Sequence, residues 1–259
     1  VPEPDLDHTS FAVHDAMAWA RRLRRELGAT PIAGEALPEF RYLLLHVGTA
    51  RAGGRLELIE PAGEGFATRY LRRHGEGPHH LTFTVPDLRA TVAQVRALGA
   101  TVVGEDYDHP SWQEVFIAPD AVHGVVIQLA HSDSSFPPPA DLMSSTRRDT
   151  ERFPSSRGAT DPTWWTGVWD TPAERTAVLG ATHLASTDLA FSRRLFADVL
   201  GAQARTRDGT IDLHWPGGGI RVVAGATPGV TGVAVSGGPP GGVMIGPTTL
   251  GPDPDRGTA

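Results

Sequence analysis

Four polar residues recur as two pairs along the chain. His8, in Leu6-Asp7-His8-Thr9-Ser10-Phe11-Ala12-Val13, has a counterpart in His80, in Gly77-Pro78-His79-His80-Leu81-Thr82-Phe83-Thr84-Val85. Glu57, in Leu56-Glu57-Leu58-Ile59-Glu60-Pro61, has one in Gln128, in His123-Gly124-Val125-Val126-Ile127-Gln128-Leu129. Two imidazoles, a carboxylate and an amide oxygen form an N2O2 set suited to a divalent first-row ion, with positions left for water or a bidentate substrate. A single histidine or glutamate on a strand is ordinarily just a hydrogen-bonded polar residue; recurrence at equivalent positions of two repeats sets these four apart. Of the neighbours His79 and His80, only His80 stands to the following Phe and Val as His8 does, and the pleat sends His79 with Leu81 and Phe83 toward the helix side. His14, His46, His74, His109 and His131 have no repeat partner and are expected at the surface or behind the ligands.

The elements that must position these residues are legible around them. Residues 6 to 13 alternate as a strand; Asp15 stands where an N-cap belongs, and Ala16, Trp19, Ala20, Leu23 and Leu27 follow at helical spacing until Gly28. A turn-rich segment with Pro31, Gly34 and Pro38 leads to strands at 40 to 47 and 55 to 59, so the unit is βα followed by two or three strands. The same grammar restarts at Gly77: a strand to Val85, Asp87 as N-cap, a stripe of Leu88, Val92, Val95 and Leu98, Gly99, then strands near 101 to 104, 113 to 117 and 124 to 130. Leu27-Gly28-Ala29-Thr30 and Leu98-Gly99-Ala100-Thr101 are identical tetrapeptides at matching places, which fixes an internal repeat of roughly 70 residues. Leu56 and Leu58, or Ile127 and Leu129, face the helix, so the pleat turns Glu57 and Gln128 to the face that carries the histidines.

Beyond His131 the texture changes to Ser, Pro and Arg clusters such as Ser135-Phe136-Pro137-Pro138-Pro139, read as a linker or wrapping segment. Trp164, Trp165 and Trp169 argue that part of it packs on a neighbour. An eroded third copy follows, with His183 in its first strand, Asp188 as N-cap, Phe191, Leu195 and Leu200 as its stripe, strands at 210 to 215 and 219 to 223, then Gly- and Pro-rich fragments and a tail from Gly251. Ile220-Arg221-Val222-Val223 supplies no ligand, so this copy is expected to pack on the catalytic pair or replace a dimer partner rather than catalyse; closure of Trp164, Trp165, Trp169 and Trp215 over a ligand is the alternative. The expected domains are 1–132, the two-module unit with the metal site; 133–178, the linker; and 179–259, the degenerate module and tail.

Composition removes whole classes of function. A net charge of -7 without a sustained Lys/Arg run leaves no electrostatic footprint for nucleic acid or an anionic membrane surface, so a small-molecule ligand is expected. The absence of cysteine rules out disulfides, thiolate metal sites and a thiol nucleophile. No apolar run approaches the ~20 residues that span a bilayer, and no secretory signal is legible; the expected setting is cytoplasmic.

The paired βαβββ modules with His8, Glu57, His80 and Gln128 resemble the vicinal oxygen chelate superfamily, which takes in glyoxalase I, extradiol dioxygenases, bleomycin-resistance proteins and methylmalonyl-CoA epimerase. Leu27-Gly28-Ala29, Ala36-Leu37-Pro38-Glu39, Leu56 to Pro61, Gly77 to His80 and Val115 to Pro119 follow the order and spacing of the epimerase branch, over about residues 5 to 131. The resemblance implies an α+β fold in which paired βαβββ modules form a cup-shaped mixed sheet, a divalent ion (Co, Mn, Ni, Zn or Fe) held by His8, Glu57, His80 and Gln128, and a monomer or homodimer. It also implies a 1,1-proton transfer on a small carbonyl compound or acyl-CoA thioester, with Glu39 as a general base; Arg69, Arg72 and Arg73 form either a CoA-binding cluster or a solvated helix face. Two departures matter. The late ligand of the second module, normally a glutamate with an acid/base role in that branch, is Gln128, which accepts no proton. The late ligand of the first, often glutamine in bacterial epimerases, is Glu57, so the carboxylate has changed sides and Glu57 is expected to be both ligand and base. Three alternatives stay open: a metal-free ligand-sequestering protein of the bleomycin-resistance kind, an iron(II) dioxygenase-like enzyme built on the 2-His-1-carboxylate pattern, and a glyoxalase I (lactoylglutathione lyase)-like enzyme.

Overall fold

The first copy runs β1 (Asp5–Ala12), α1 (Ala16–Leu27), β2 (Thr30–Ala36), β3 (Phe40–Thr49) and β4 (Ala52–Pro61), and is followed by a further helix, α2 (Phe66–His74). The second runs β5 (Gly77–Thr84), α3 (Leu88–Ala97), β6 (Val102–Asp106), β7 (Gln113–Ile117) and β8 (Val126–His131). Together they give an eight-stranded sheet in the order β2-β3-β4-β1-β5-β8-β7-β6. β8 lies parallel to β5 and antiparallel to β7, the pairing that a βαβββ unit requires when its last strand returns beside its first. The structure is a computed structural model describing residues 3–120, 122–133 and 164–253; the Ser135 to Pro139 cluster and the last six residues of the tail lie outside them.

The third copy is β9 (Val178–Ser186), α4 (Leu189–Arg193, continued as π-helix over Arg194–Val199), β10 (Gln203–Arg207), β11 (Thr210–Trp215) and β12 (Gly218–Ala224). The Gly- and Pro-rich stretch after it, expected to be fragments, instead supplies β13 (Gly229–Ser236), β14 (Val243–Ile245) and β15 (Thr248–Gly251). The second sheet therefore has seven strands, ordered β10-β11-β12-β9-β13-β15-β14. Burial is what holds the short hairpin in place: Val243 and Ile245 are buried while Met244 between them is 49% exposed, the alternation of a strand with one apolar face.

Two local rules explain most boundaries. Asp15, Asp87 and Asp188 all take extended backbone and accept the N–H three residues on, from Ala18, Ala90 and Phe191, so one cap starts the helix of every copy. At the end of α1, Gly28 takes φ 73° and donates its N–H to the Arg24 carbonyl while the Ala29 N–H returns to Leu23; a Cβ on Gly28 would lie 2.3 Å from the Arg175 carbonyl oxygen. The segment with Pro31 and Gly34, expected as turns, is strand β2. Proline is tolerated because β2 is the outermost strand of its sheet and its register shifts between Pro31 and Ala33.

The chain divides into two compact units. One comprises Val1–Thr9, His80–Ser134 and Ala181–Gly232. Its core joins the stripe of α3 (Leu88, Val92, Val95) and Leu81, Phe83, Ile127 and Leu129 to Leu184, Phe196, Leu200, Ile220 and Val222 of the third copy. Trp215 is in this core, edge-on to Phe83 at 5.1 Å and donating its indole N–H to the Leu200 carbonyl, so it packs inside rather than closing over a ligand. The other unit comprises Ser10–His79, Ser135–Gly180 and Val233–Ala259. There α1 buries Ala16, Ala20, Leu23 and Leu27 against Phe11, Leu43, Leu45, Leu56 and Leu58, with Trp165 buried and its N–H on the Gly34 carbonyl. Among the described residues no helix is long and apolar enough to cross a membrane.

Candidate metal centre

β1 and β5 each carry a histidine and, two residues on and so on the same face, a hydroxyl: His8 and Ser10, His80 and Thr82. In each copy that hydroxyl meets the polar residue of the last strand. Ser10 Oγ donates to Glu57 Oε2 at 2.5 Å, and Thr82 Oγ1 donates to Gln128 Oε1 at 2.7 Å. The register accounts for the second contact, because Thr82 lies opposite Gln128 in the parallel β5·β8 pair. The alternate residues, Leu81, Phe83, Ile127 and Leu129 in one copy and Phe11, Leu56 and Leu58 in the other, are buried on the helix side. All four candidate ligands are nearly enclosed, with His8 5%, Glu57 8%, His80 6% and Gln128 7% exposed.

His8, Glu57 and His80 each offer a ligand atom, and these atoms lie within 4.8 Å of one another. An ion with bonds of about 2.0–2.2 Å spreads its ligand atoms no more than ~4.4 Å apart, so the trio is close to the span that one ion imposes. The imidazoles of His8 and His80 stand edge-on, 5.8 Å apart between centroids and 67° to one another. Asp7 accepts from His8 Nδ1 at 2.6 Å, which puts the lone pair of the neutral ring on Nε2, the arrangement that a metal-binding histidine needs. The donor set therefore fits a divalent first-row ion.

The remaining candidates fall elsewhere. Glu39 is exposed on the turn between β2 and β3; its carbonyl accepts from Ala62 and Gly63 N–H, and its carboxylate lies beside Gly65 at the start of α2. It is not one of the three grouped residues. His79 packs on Phe66 and Tyr70 of α2, with ring centroids 5.2 and 4.9 Å away. Burial there pushes its pKa down to about 4, against the opposing charge of Glu57. In the third copy the place of Glu57 and Gln128 falls on Val223, opposite Ala185, and Arg221, opposite His183, is paired with Asp212 at 2.7 Å.

Three residues near the candidate ligands escaped the sequence reading. Ser10 and Thr82 carry a signal it could have used, a hydroxyl two places after each repeated histidine. Glu114, on β7, is 8% exposed and accepts from Gln128 Nε2 at 2.6 Å and from Trp112 Nε1 at 3.2 Å. Alternation with the buried Val115 and Ile117 would have placed it on the ligand face, but the first copy has Tyr42 at the corresponding register, so recurrence passes over it.

Comparison with known proteins gives this geometry its relatives. The family described as Glyoxalase/Bleomycin resistance protein/Dioxygenase superfamily matches residues 7–116. The chain is 30% identical over 101 residues, 38% of its length and 74% of the relative's, to the ethylmalonyl-CoA/methylmalonyl-CoA epimerase of Cereibacter sphaeroides. Among solved structures, a Streptomyces coelicolor methylmalonyl-CoA epimerase in complex with 2-nitronate-propionyl-CoA is 29% identical, over 50% of this chain and 95% of its own, with a TM-score of 0.44. A mutant 4-hydroxymandelate synthase from Streptomyces coelicolor, 16% identical, covers 90% of this chain and 71% of its own at a TM-score of 0.56, a likeness of fold that takes in the second sheet as well. With the family matched across both repeated histidines, and an epimerase similar over three quarters of its own length, the chain belongs to the Glyoxalase/Bleomycin resistance protein/Dioxygenase superfamily.

Proposed function

We propose that the protein is a divalent-metal-dependent enzyme that transfers a proton at the carbon next to a carbonyl, with a small acyl-CoA thioester as substrate. The observation that carries this reading is the buried trio His8, Glu57 and His80 in a chain whose relative is an acyl-CoA epimerase. When bound, the ion acts as a Lewis acid on the carbonyl and draws the charge released by loss of the α-proton. His8, His80 and Glu57 hold it, with the Gln128 amide oxygen as fourth ligand. Glu39, on its exposed turn, takes the proton from one side of the α-carbon, and Glu57 is the carboxylate of the other side, since Gln128 neither accepts nor releases a proton. Residues 1–132 form the catalytic pair of modules in this reading, and 179–259 serve by packing.

The test is α-deuterium uptake from heavy water by methylmalonyl-CoA and ethylmalonyl-CoA, read by mass spectrometry. Exchange is expected with wild type, and Glu39→Gln is expected to slow it by about 10²-fold or more with metal content unchanged. No exchange at high enzyme concentration retires this substrate class. Protein purified without added salts should carry stoichiometric metal; none at all, with unchanged stability in His8→Ala and His80→Ala, would instead favour a ligand-sequestering protein. The two-histidine, one-carboxylate set favours one second reading, iron(II) oxygen chemistry. Substrate-dependent oxygen uptake by iron(II)-loaded protein, without deuterium exchange, would move the assignment there.

A further inference from the structure

We infer that Glu114 is a positioning residue that turns the Gln128 amide oxygen toward the ion and strengthens it as a ligand. The inference rests on the reading that Gln128 completes the metal set with His8, Glu57 and His80. Its physical basis is an asymmetry of the primary amide: the oxygen only accepts and the nitrogen only donates. Among the described residues two groups hydrogen-bond to the Gln128 head, both on the face of the sheet that carries it. Thr82 Oγ1 donates to its oxygen at 2.7 Å, and its nitrogen donates to Glu114 Oε2 at 2.6 Å. A hydroxyl tolerates either end of an amide, because it both donates and accepts, so Thr82 alone does not choose the orientation. An ionised carboxylate does choose. With the amide reversed, Gln128 Oε1 would sit 2.6 Å from an acceptor, and two acceptors at that separation repel in a place where both side chains are less than a tenth exposed.

Glu114 is itself held. Phe116 and Gln128 are opposite each other in the β7·β8 ladder and Glu114 is opposite Ala130, which brings the carboxylate alongside the amide, and Trp112 Nε1 donates to the same Oε2 at 3.2 Å. A donor N–H bound to a carboxylate also polarises the amide and puts more negative charge on its oxygen. The second copy thus keeps a carboxylate's charge at the site although the ligand is neutral; the carboxylate stands one residue behind it. The first copy has no such need, because its ligand, Glu57, is anionic, and at the register of Glu114 it has Tyr42.

The experiment is Co2+ binding to the full chain stripped of metal, read by calorimetry and by the visible absorption of bound Co2+, so that no turnover is required. Glu114→Gln is expected to weaken Co2+ binding by about 10- to 100-fold and to change the spectrum. Gln128→Ala is expected to cost a similar factor, and the double variant no more than the larger single loss, because both changes remove the same ligand. The exchange variant Glu114→Gln/Gln128→Glu rebuilds the hydrogen bond with donor and acceptor swapped and is expected to bind within a few-fold of wild type. If Glu114→Gln does not fold, the exchange variant decides alone. Wild-type affinity and spectrum in Glu114→Gln, additive losses in the double variant, or an exchange variant that binds as weakly as Gln128→Ala would each overturn the inference while leaving the metal reading intact. A wild-type chain that takes up no Co2+ would overturn the metal reading first, and the inference with it.

Discussion

At the scale of single residues, the centre is built from one short pattern used twice, a histidine and a hydroxyl two places later, with the hydroxyl reaching the last strand of its own copy. The two versions differ in what the hydroxyl meets, and that difference is measurable. Ser10 donates to a carboxylate and Thr82 to a neutral amide, and hydrogen bonds to charged groups are worth about 1.5–3 kcal/mol against about 1 for neutral pairs. In metal-free protein, Ser10→Ala is therefore expected to cost roughly twice as much as Thr82→Val in urea unfolding; equal losses would mean that Glu57 is not ionised beside Ser10. The grouping of His8, Glu57 and His80 was legible because recurrence picks one histidine from each copy. Glu114 was not, because a residue that compensates for a difference between the copies is by its nature present in only one of them.

At the scale of elements, capping and periodicity carried most of the information. Asp87 illustrates this: its carboxylate accepts the Ala90 N–H and its backbone carbonyl the Thr91 side chain, so the start of α3 is set by residues 87 to 91 alone. Asp87→Ala is expected to lower stability by about 1 kcal/mol. Gly28→Ala should cost more, since it adds to the roughly 1 kcal/mol of a left-handed non-glycine residue a steric conflict with the Arg175 carbonyl. Thermal unfolding of the two variants side by side checks the order, and a Gly28→Ala protein as stable as Asp87→Ala would remove the close approach of residue 175 from the account. Elements without such local signals were lost. β2 carries two turn-forming residues that only its place at the sheet edge makes acceptable, and an edge is a property of the pairing, not of the segment. β14 and β15, of three and four residues, are too short for alternation to be read without knowing what they lie against.

At the scale of the whole molecule, apolar stripes reveal what is buried but not against what, which is why the third copy could be read as packing on the catalytic pair or replacing a dimer partner without the second copy being singled out. Its core proves continuous with that of the second copy, and the join includes a buried polar contact, His123 Nε2 with Ser192 Oγ at 2.9 Å. In the other unit His46 is likewise buried and donates from Nε2 to the Thr49 carbonyl. For both imidazoles burial lowers the pKa below the usual 6.5; Asp120 and Asp188 oppose this at His123, and the Thr49 carbonyl opposes it at His46. The sign of the consequence follows from proton counting. Below pH 6.5 the unfolded chain binds protons on these residues that the folded chain refuses, so their contribution to stability is fully present above 6.5 and is lost as pH falls from there toward and through the lower folded-state values. Each group contributes a slope of at most about 1.4 kcal/mol per pH unit within its window. Urea unfolding of metal-free protein between pH 7.5 and 5 should therefore show falling stability. His123→Gln, which keeps a donor for Ser192, and His46→Gln, which keeps one for Thr49, should each flatten the fall even where they lower stability at pH 7.5. Parallel pH curves for wild type and both variants would mean that other groups govern the acid limit, and that these two histidines are no more reluctant to take a proton folded than unfolded.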